Sequence, residues 1–133
     1  MSENVDTVHR AYEAYGRRDV AGLQALCDDD AVIYTVIEGR AEAEPFRGHN
    51  GIRAWIENED AVWDSVNIEE LELRDLGGDR VFTSAVARVR GKGSGIELSL
   101  PLWSVFELRG GRVFRFKSYP DRTEALEAAG LPD

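Results

Sequence analysis

The sequence predicts an α+β domain in which helices pack on one face of a curved, mixed or antiparallel sheet. Three observations carry that expectation. Residues 96–119 read IELSLPLWSVFELRGGRVFRFKSY, two apolar-alternating runs joined by Arg109-Gly110-Gly111-Arg112. A Gly-Gly step between period-2 runs signals a tight hairpin, because primed turns need positive φ and glycine reaches it without a Cβ clash. Helical spacing dominates the first half of the chain and strand spacing the second, with one further helix at the end. A parity slip in one strand and glycine-rich turns between strands are devices that curve a sheet.

In chain order, residues 3–17 place Val5, Val8, Tyr12 and Tyr15 at helical spacing with Ala11 beside them, and Gly16 ends that helix. Asp19 suits the N-cap of a second helix carrying Val20, Leu23, Leu26 and Cys27. Residues 31–37 form a β-rich run with Ile33 and Thr35 on one side. The polar stretch 38–48 reads as a loop. Its Glu38, Glu42 and Glu44 lack the mixed His and carboxylate grouping of a metal site and read as a solvated charge run. Asn50 is placed to cap a third helix to Asp64, with Ile52, Trp55, Ile56, Val62 and Trp63 as its apolar stripe.

The strand at 66–76 changes parity between Val66/Ile68 and Leu71/Leu73, which predicts a β-bulge at Glu69-Glu70. Gly77-Gly78-Asp79 turns the chain into a strand over 80–90, with Val81, Thr83, Ala85, Ala87 and Val89 on one face. In the final hairpin, Leu98, Leu100, Leu102, Ser104 and Phe106 share a dry face that Phe114, Phe116 and Ser118 continue. Val113, Arg115, Lys117 and Tyr119 fall on the other. Asp121 to Glu124 has capping-box form before a short helix ending at Gly130.

Alternation therefore places Ala85, Ala87, Leu100, Leu102, Ser104, Phe116 and Ser118 on one face, where with Ile33, Thr35 and Trp55 they are expected to line a pocket. Tyr12 and Tyr15 are core residues whose hydroxyls, if they reach it, donate to a ligand carbonyl. Glu59 falls in the apolar stripe of the third helix. Desolvation there would raise its pKa toward general-base values; at the stripe's edge it would instead snorkel to water. His49 is the other candidate for proton transfer, provided it turns inward at the pocket mouth. The opposite sheet face gathers Phe82, Val86, Arg88, Trp103, Val105, Arg115 and Tyr119. Such a patch predicts a two-fold homodimer, unless the terminal helix folds over the aromatics.

Composition bounds the rest. At 133 residues, with 43% hydrophobic and 31% charged content, one domain (1–133) with a full core is expected. A net charge of −9 argues against nucleic acid and anionic membrane surfaces as partners. Cys27, the one cysteine, reads as a buried small hydrophobe and suits a reducing compartment. No signal-peptide pattern or membrane-length apolar run is present in the sequence, so the expected setting is cytoplasmic.

The segments VHRAYEAYGRRDVAGLQALCDDDAVIY, FRGHNGI, LWSVFELRGGRVFRFKSY and TEALEAAGLP, in that order, resemble the SnoaL-like group of the nuclear transport factor 2-like superfamily. The resemblance implies a cone-shaped α+β fold with an internal pocket, often dimeric through the convex sheet face, and no cofactor. Relatives include steroid isomerases, polyketide cyclases and epoxide hydrolases. Their acid-base residues are not matched: positions corresponding to those of ketosteroid isomerases hold Ala11, Thr35 and Ser104. Those of limonene epoxide hydrolases hold Ala85, Ala87 and Ser118, and Ser118 also occupies the polyketide-cyclase acid position. The expected function is binding of a small, mainly apolar molecule, with three classes open: an isomerase, cyclase or hydrolase, a non-catalytic binding protein, or an interaction module. A carboxylate or histidine in the cavity favours the first, hydroxyls alone the second, a filled core the third.

Overall fold

The computed structural model describes residues 2–35 and 44–132. The elements are α1 (Glu3–Gly16), α2 (Val20–Ala25), β1 (Cys27–Tyr34), β2 (Phe46–Arg47), α3 (Gly48–Val62), β3 (Trp63–Gly77), β4 (Arg80–Gly91), β5 (Glu97–Arg109), β6 (Arg112–Tyr119) and α4 (Arg122–Ala129). They form a mixed α+β fold around one curved six-stranded sheet of order β2-β1-β6-β5-β4-β3. β3 through β6 pair antiparallel in succession, as the sequence predicts, while β1 joins β6 in parallel.

Local chemistry sets most boundaries. Ser2 caps α1 by accepting from the Val5 amide at 3.0 Å, and Asp19 caps α2 by accepting from Gly22 at 2.9 Å. Asp121 caps α4 by accepting from the Thr123 and Glu124 amides, and Gly130 closes that helix in the left-handed region. At the predicted hairpin both Gly110 and Gly111 have positive φ, 60° and 79°. The β3–β4 register shifts between Glu69 and Glu72, and Glu70 sits at φ 54°. That is the bulge the parity slip requires.

Several boundaries differ from the sequence reading. α2 stops at Ala25, and Cys27 opens β1 instead of ending the helix, because β1 gains a parallel partner in β6 (Cys27 opposite Val113). α3 begins at Gly48, after a short β2 within the expected loop, so Asn50 is an exposed residue inside the first turn and not its cap. β3 begins at Trp63, extending the pairing with β4 to Gly91. Glu38 and Glu42 lie outside the described residues.

A second bulge reverses part of the final strand. Leu108 pairs with Val113 but Glu107 with Arg115, so Phe114 is the extra residue. Val113, expected on the outer face, is buried in the core, and Phe114, expected inside, lies under the Arg109 guanidinium at 4.9 Å. Leu98, expected on the dry face, is 44% exposed near the start of β5, beyond the reach of the core.

The main core lies between the inner sheet face and α1, α2 and α3. A smaller cluster occupies the other face, where α4 packs Ala125, Leu126 and Ala129 against Phe82 and Val105, with Trp103 and Tyr119 at its margin. Phe82 and Val105 are 8% and 2% exposed, so they do not belong to an open surface patch. The capped terminal helix covers them within one chain. Among the described residues no helix is long and apolar enough to cross a membrane.

Candidate ligand-binding site

A cavity of about 50 Å³ remains inside the main core. α1 contributes Ala11, Tyr12 and Tyr15, α3 contributes Trp55, and α2 with β1 adds Leu23, Cys27 and Ile33. Ile68, Ala85, Leu102, Ser104, Phe106, Val113, Phe116 and Ser118 come from β3–β6, and Thr35 follows β1. Of the residues expected to line it, Tyr12, Tyr15, Ile33, Thr35, Trp55, Ala85, Leu102, Ser104, Phe116 and Ser118 are brought together. Ala87 and Leu100 are not. They share the inner face but lie farther along β4 and β5, where Ala87 is fully buried and Leu100 half-buried against the core.

Much of the wall is a belt of aromatic rings. Tyr15 stacks on Trp55 (centroids 5.2 Å apart), Trp55 on Phe116 (6.0 Å), Phe116 tilts against Phe106 (4.7 Å), and Phe106 meets Tyr12 edge-on (5.7 Å). Tyr12 and Tyr15 are nearly one turn apart on α1, so the belt begins and ends on the same helix. Each tyrosine carries a polar group into a different network.

The first network is made of hydroxyls. Thr83 on β4 is the register partner of Ser104 on β5, which is in turn the partner of Ser118 on β6. Their side chains therefore form a row across three strands. Ser104 and Ser118 hydroxyls lie 3.0 Å apart, and Tyr12 Oη lies 2.7 Å from Thr83 Oγ1. Burial pushes the Tyr12 phenol up to about 12 against the hydrogen bonds of Thr83 and Ser104.

The second network is charged. Glu59, expected either within the stripe or at its edge, is 0% exposed and does not snorkel to water. It accepts from Tyr15 Oη at 2.6 Å and Trp55 Nε1 at 2.9 Å, and Arg18 Nη2 donates to it at 3.2 Å. Arg18 reaches it because the chain reverses after α1 with Arg18 at φ 57°. Its guanidinium also lies over the Tyr15 ring at 4.9 Å and pairs with Asp60. Burial raises the Glu59 carboxyl; the hydrogen bond from Tyr15, the charge of Arg18 and the Trp55 indole oppose it. Glu59 does not line the cavity, since Tyr15 and Trp55 stand between.

His49 also lies outside the cavity. In the first turn of α3 its Nε2 is 3.1 Å from the Cys27 carbonyl oxygen and 3.7 Å from Asp29. Burial, aided by the charge of Asp28, pushes the Cys27 thiol up to about 12. Burial also lifts Tyr15 well above the usual phenol range, reinforced by the Glu59 charge. Among the described residues no three His, Cys, Asp or Glu side chains are grouped to hold a metal ion. Tyr12 and Ile68 also border an outer cleft with His9, Glu13, Arg17, Asn67 and Leu71.

The fold is of the nuclear transport factor 2-like type. The chain belongs to the SnoaL-like domain family, whose match spans residues 8–116. It is similar in structure to an NTF2-like protein of unknown function from Burkholderia pseudomallei (24% identity, 96% of this chain and 97% of that one, TM-score 0.79). A candidate polyketide cyclase from Xanthomonas campestris pv. campestris is also similar (17% identity, 96% of each chain, TM-score 0.78). So is a ketosteroid isomerase-like fold protein from Catenulispora acidiphila in complex with trimethylamine (21% identity, 95% and 93% coverage, TM-score 0.75). No curated protein matches the chain in sequence.

Proposed function

We propose that this protein binds a small, uncharged, mainly apolar molecule bearing one polar oxygen, in the cavity between α1, α3 and the inner sheet face. One observation carries the reading. Among the described residues, every titratable side chain lining the cavity is held neutral at pH 7, since burial raises Tyr12 and Cys27 to about 12 and Tyr15 well above its ordinary value. Such a wall offers carbon and hydroxyl groups, with no charge to pair with an ion. A volume of about 50 Å³ suits a ligand of a few heavy atoms, since a water molecule takes about 30 Å³ of the liquid. A protein of this fold is known in complex with trimethylamine, itself a small molecule.

Replacing Ala85 by Leu tests the reading, because the new side chain fills the cavity from β4. Methyl NMR shifts on addition of acetone are expected in the wild type and absent in a folded Ala85→Leu variant. Undiminished binding in that variant places the site elsewhere.

A second reading, proton transfer of the isomerase, cyclase or hydrolase type, is favoured by the 2.6 Å bond between Glu59 and a cavity-lining phenol. Its base would act through Tyr15, and a phenol held that high yields its proton reluctantly. Deuterium uptake by acetone in D2O, lost in Glu59→Gln, would support it. His49 offers no direct route to the cavity.

We also infer a homodimer on what α4 leaves of the outer face. Trp103, Tyr119 and Val86 are half-covered, Arg115 pairs with Glu107 at 2.8 Å, and Arg88 is exposed. Trp103→Arg is expected to convert a dimer to a monomer in light scattering; a monomeric wild type at tens of micromolar excludes it. A cytoplasmic setting fits the single buried thiol, and the charge of −9 fits neither nucleic acid nor an anionic membrane as partner.

A further inference from the structure

Thr83 is 1% exposed and does not line the cavity, yet it is bonded to a side chain that does. We propose that Thr83 is a specificity-determining residue that sets the hydrogen-bond polarity Tyr12 presents to the ligand. The inference rests on the binding reading above.

A hydroxyl has one proton and two lone pairs, so two bonded hydroxyls must agree on which one donates. Across the 2.7 Å contact either Tyr12 or Thr83 can do so. When the phenol donates to Thr83, its proton is directed into the wall and the cavity meets only phenol lone pairs. When Thr83 donates, the phenol proton is free to turn toward a ligand or toward Ser104.

The Ser104–Ser118 pair behaves differently. Both members line the cavity, and whichever accepts across their 3.0 Å contact keeps a proton of its own for a ligand. That pair offers one donor in either orientation. Within this row of hydroxyls, Tyr12 has a partner outside the cavity, Thr83, that can withdraw its proton from it. Register holds the geometry, since Thr83, Ser104 and Ser118 are successive partners across β4, β5 and β6. Burial keeps the Tyr12 phenol protonated well above neutral pH, so the choice concerns hydrogen-bond direction and not ionisation.

The arrangement lets the cavity take a carbonyl, which only accepts, or an alcohol, which also donates. Removing the Thr83 hydroxyl without changing its shape should take away that acceptor, leave the Tyr12 proton to turn toward Ser104 or a ligand, and favour the carbonyl. Acetone and 2-propanol are matched probes, nearly equal in size and differing in that one proton. Their dissociation constants are to be measured by methyl NMR titration of the wild type, Thr83→Val and Thr83→Ser.

The affinity ratio of acetone to 2-propanol is expected to rise about threefold to tenfold in Thr83→Val, the worth of one neutral hydrogen bond. Thr83→Ser should restore the wild-type ratio, and Tyr12→Phe should remove the effect of Thr83→Val. A merely structural role weakens both probes by the same factor. An unchanged ratio with binding retained overturns this inference alone, as does failure of Thr83→Ser to restore it. A wild type that binds neither probe overturns both this inference and the binding reading.

Discussion

The two tyrosines that α1 sends into the cavity wall end in opposite kinds of chemistry. Tyr12 joins neutral hydroxyls from β4 and β5, and in the 2.7 Å contact with Thr83 neither partner is fixed as donor. Tyr15 joins Glu59, Arg18 and Trp55, where every direction is fixed because a carboxylate accepts and a guanidinium and an indole donate. The first network can reorganise around a ligand without leaving a charge unpaired. The second cannot, since loss of any partner strands a polar group in a dry interior. Under the proposed binding reading, the contrast gives adaptable recognition to the Tyr12 side and rigidity to the Tyr15 side.

The largest expected effect lies on the rigid side. Glu59→Ala would leave the Tyr15 hydroxyl, the Trp55 indole and the Arg18 guanidinium without their shared acceptor. A loss of about 3–5 kcal/mol is expected in urea unfolding, the usual cost of breaking a buried pair. Glu59→Gln keeps an acceptor oxygen and should lose less, about 1–2 kcal/mol. Equal and small losses would show that the cluster is not the rigid half.

pH separates the two networks in opposite parts of the scale. Burial raises the Glu59 carboxyl above its ordinary value of 4.5, so the folded state holds this proton more tightly than the unfolded chain. Stability from this group is fully present below that ordinary value and is lost as pH rises through the raised one. Wild-type stability measured from pH 4 to pH 8 should therefore carry a downward contribution that Glu59→Gln lacks. The same slope in both proteins would assign it to other groups.

The Tyr12 phenol, raised from 10.0 to about 12, follows the same sign far higher. Its contribution is intact below pH 10 and is lost as pH rises through about 12. Tyr12→Phe should flatten that part of the alkaline unfolding profile followed by circular dichroism. An unaltered profile would mean that the phenol is not held neutral by the wall.

The smallest effect belongs to the adaptable side. Ser104→Ala removes neutral hydroxyl contacts alone and leaves Ser118 a cavity edge and Tyr12 its bond to Thr83, so a loss of about 1 kcal/mol in urea unfolding is expected. A loss as large as that of Glu59→Ala would erase the distinction between the two halves.

Much of the frame is legible in the sequence because its signals are contiguous. Asp19 and Asp121 satisfy amides within three residues of themselves, Gly110-Gly111 supplies the positive φ of the hairpin, and the parity slip locates the first bulge. Alternation likewise collects Ala85, Leu102, Ser104, Phe116 and Ser118 on one face. The chemistry of the site is not local in that sense. Glu59 meets Tyr15 across 44 positions and Arg18 across 41, and the choice between a buried carboxylate and one at the water's edge depends on those distant donors. Thr83 shares a face with Ala85, yet its bond to Tyr12 spans 71 positions and needs α1 docked on β4 in one register. The bulge at Phe114 carries no parity signal, because Val113 and Phe114 are both apolar and either can face the core; pairing of Leu108 with Val113 decides it. The sequence by itself determined where elements begin, turn and curve, since those free energies arise between near neighbours. Which polar groups were buried together, and so what the cavity offers a ligand, was decided by tertiary packing, since a polar group is stable in the core only once its distant partners are in place.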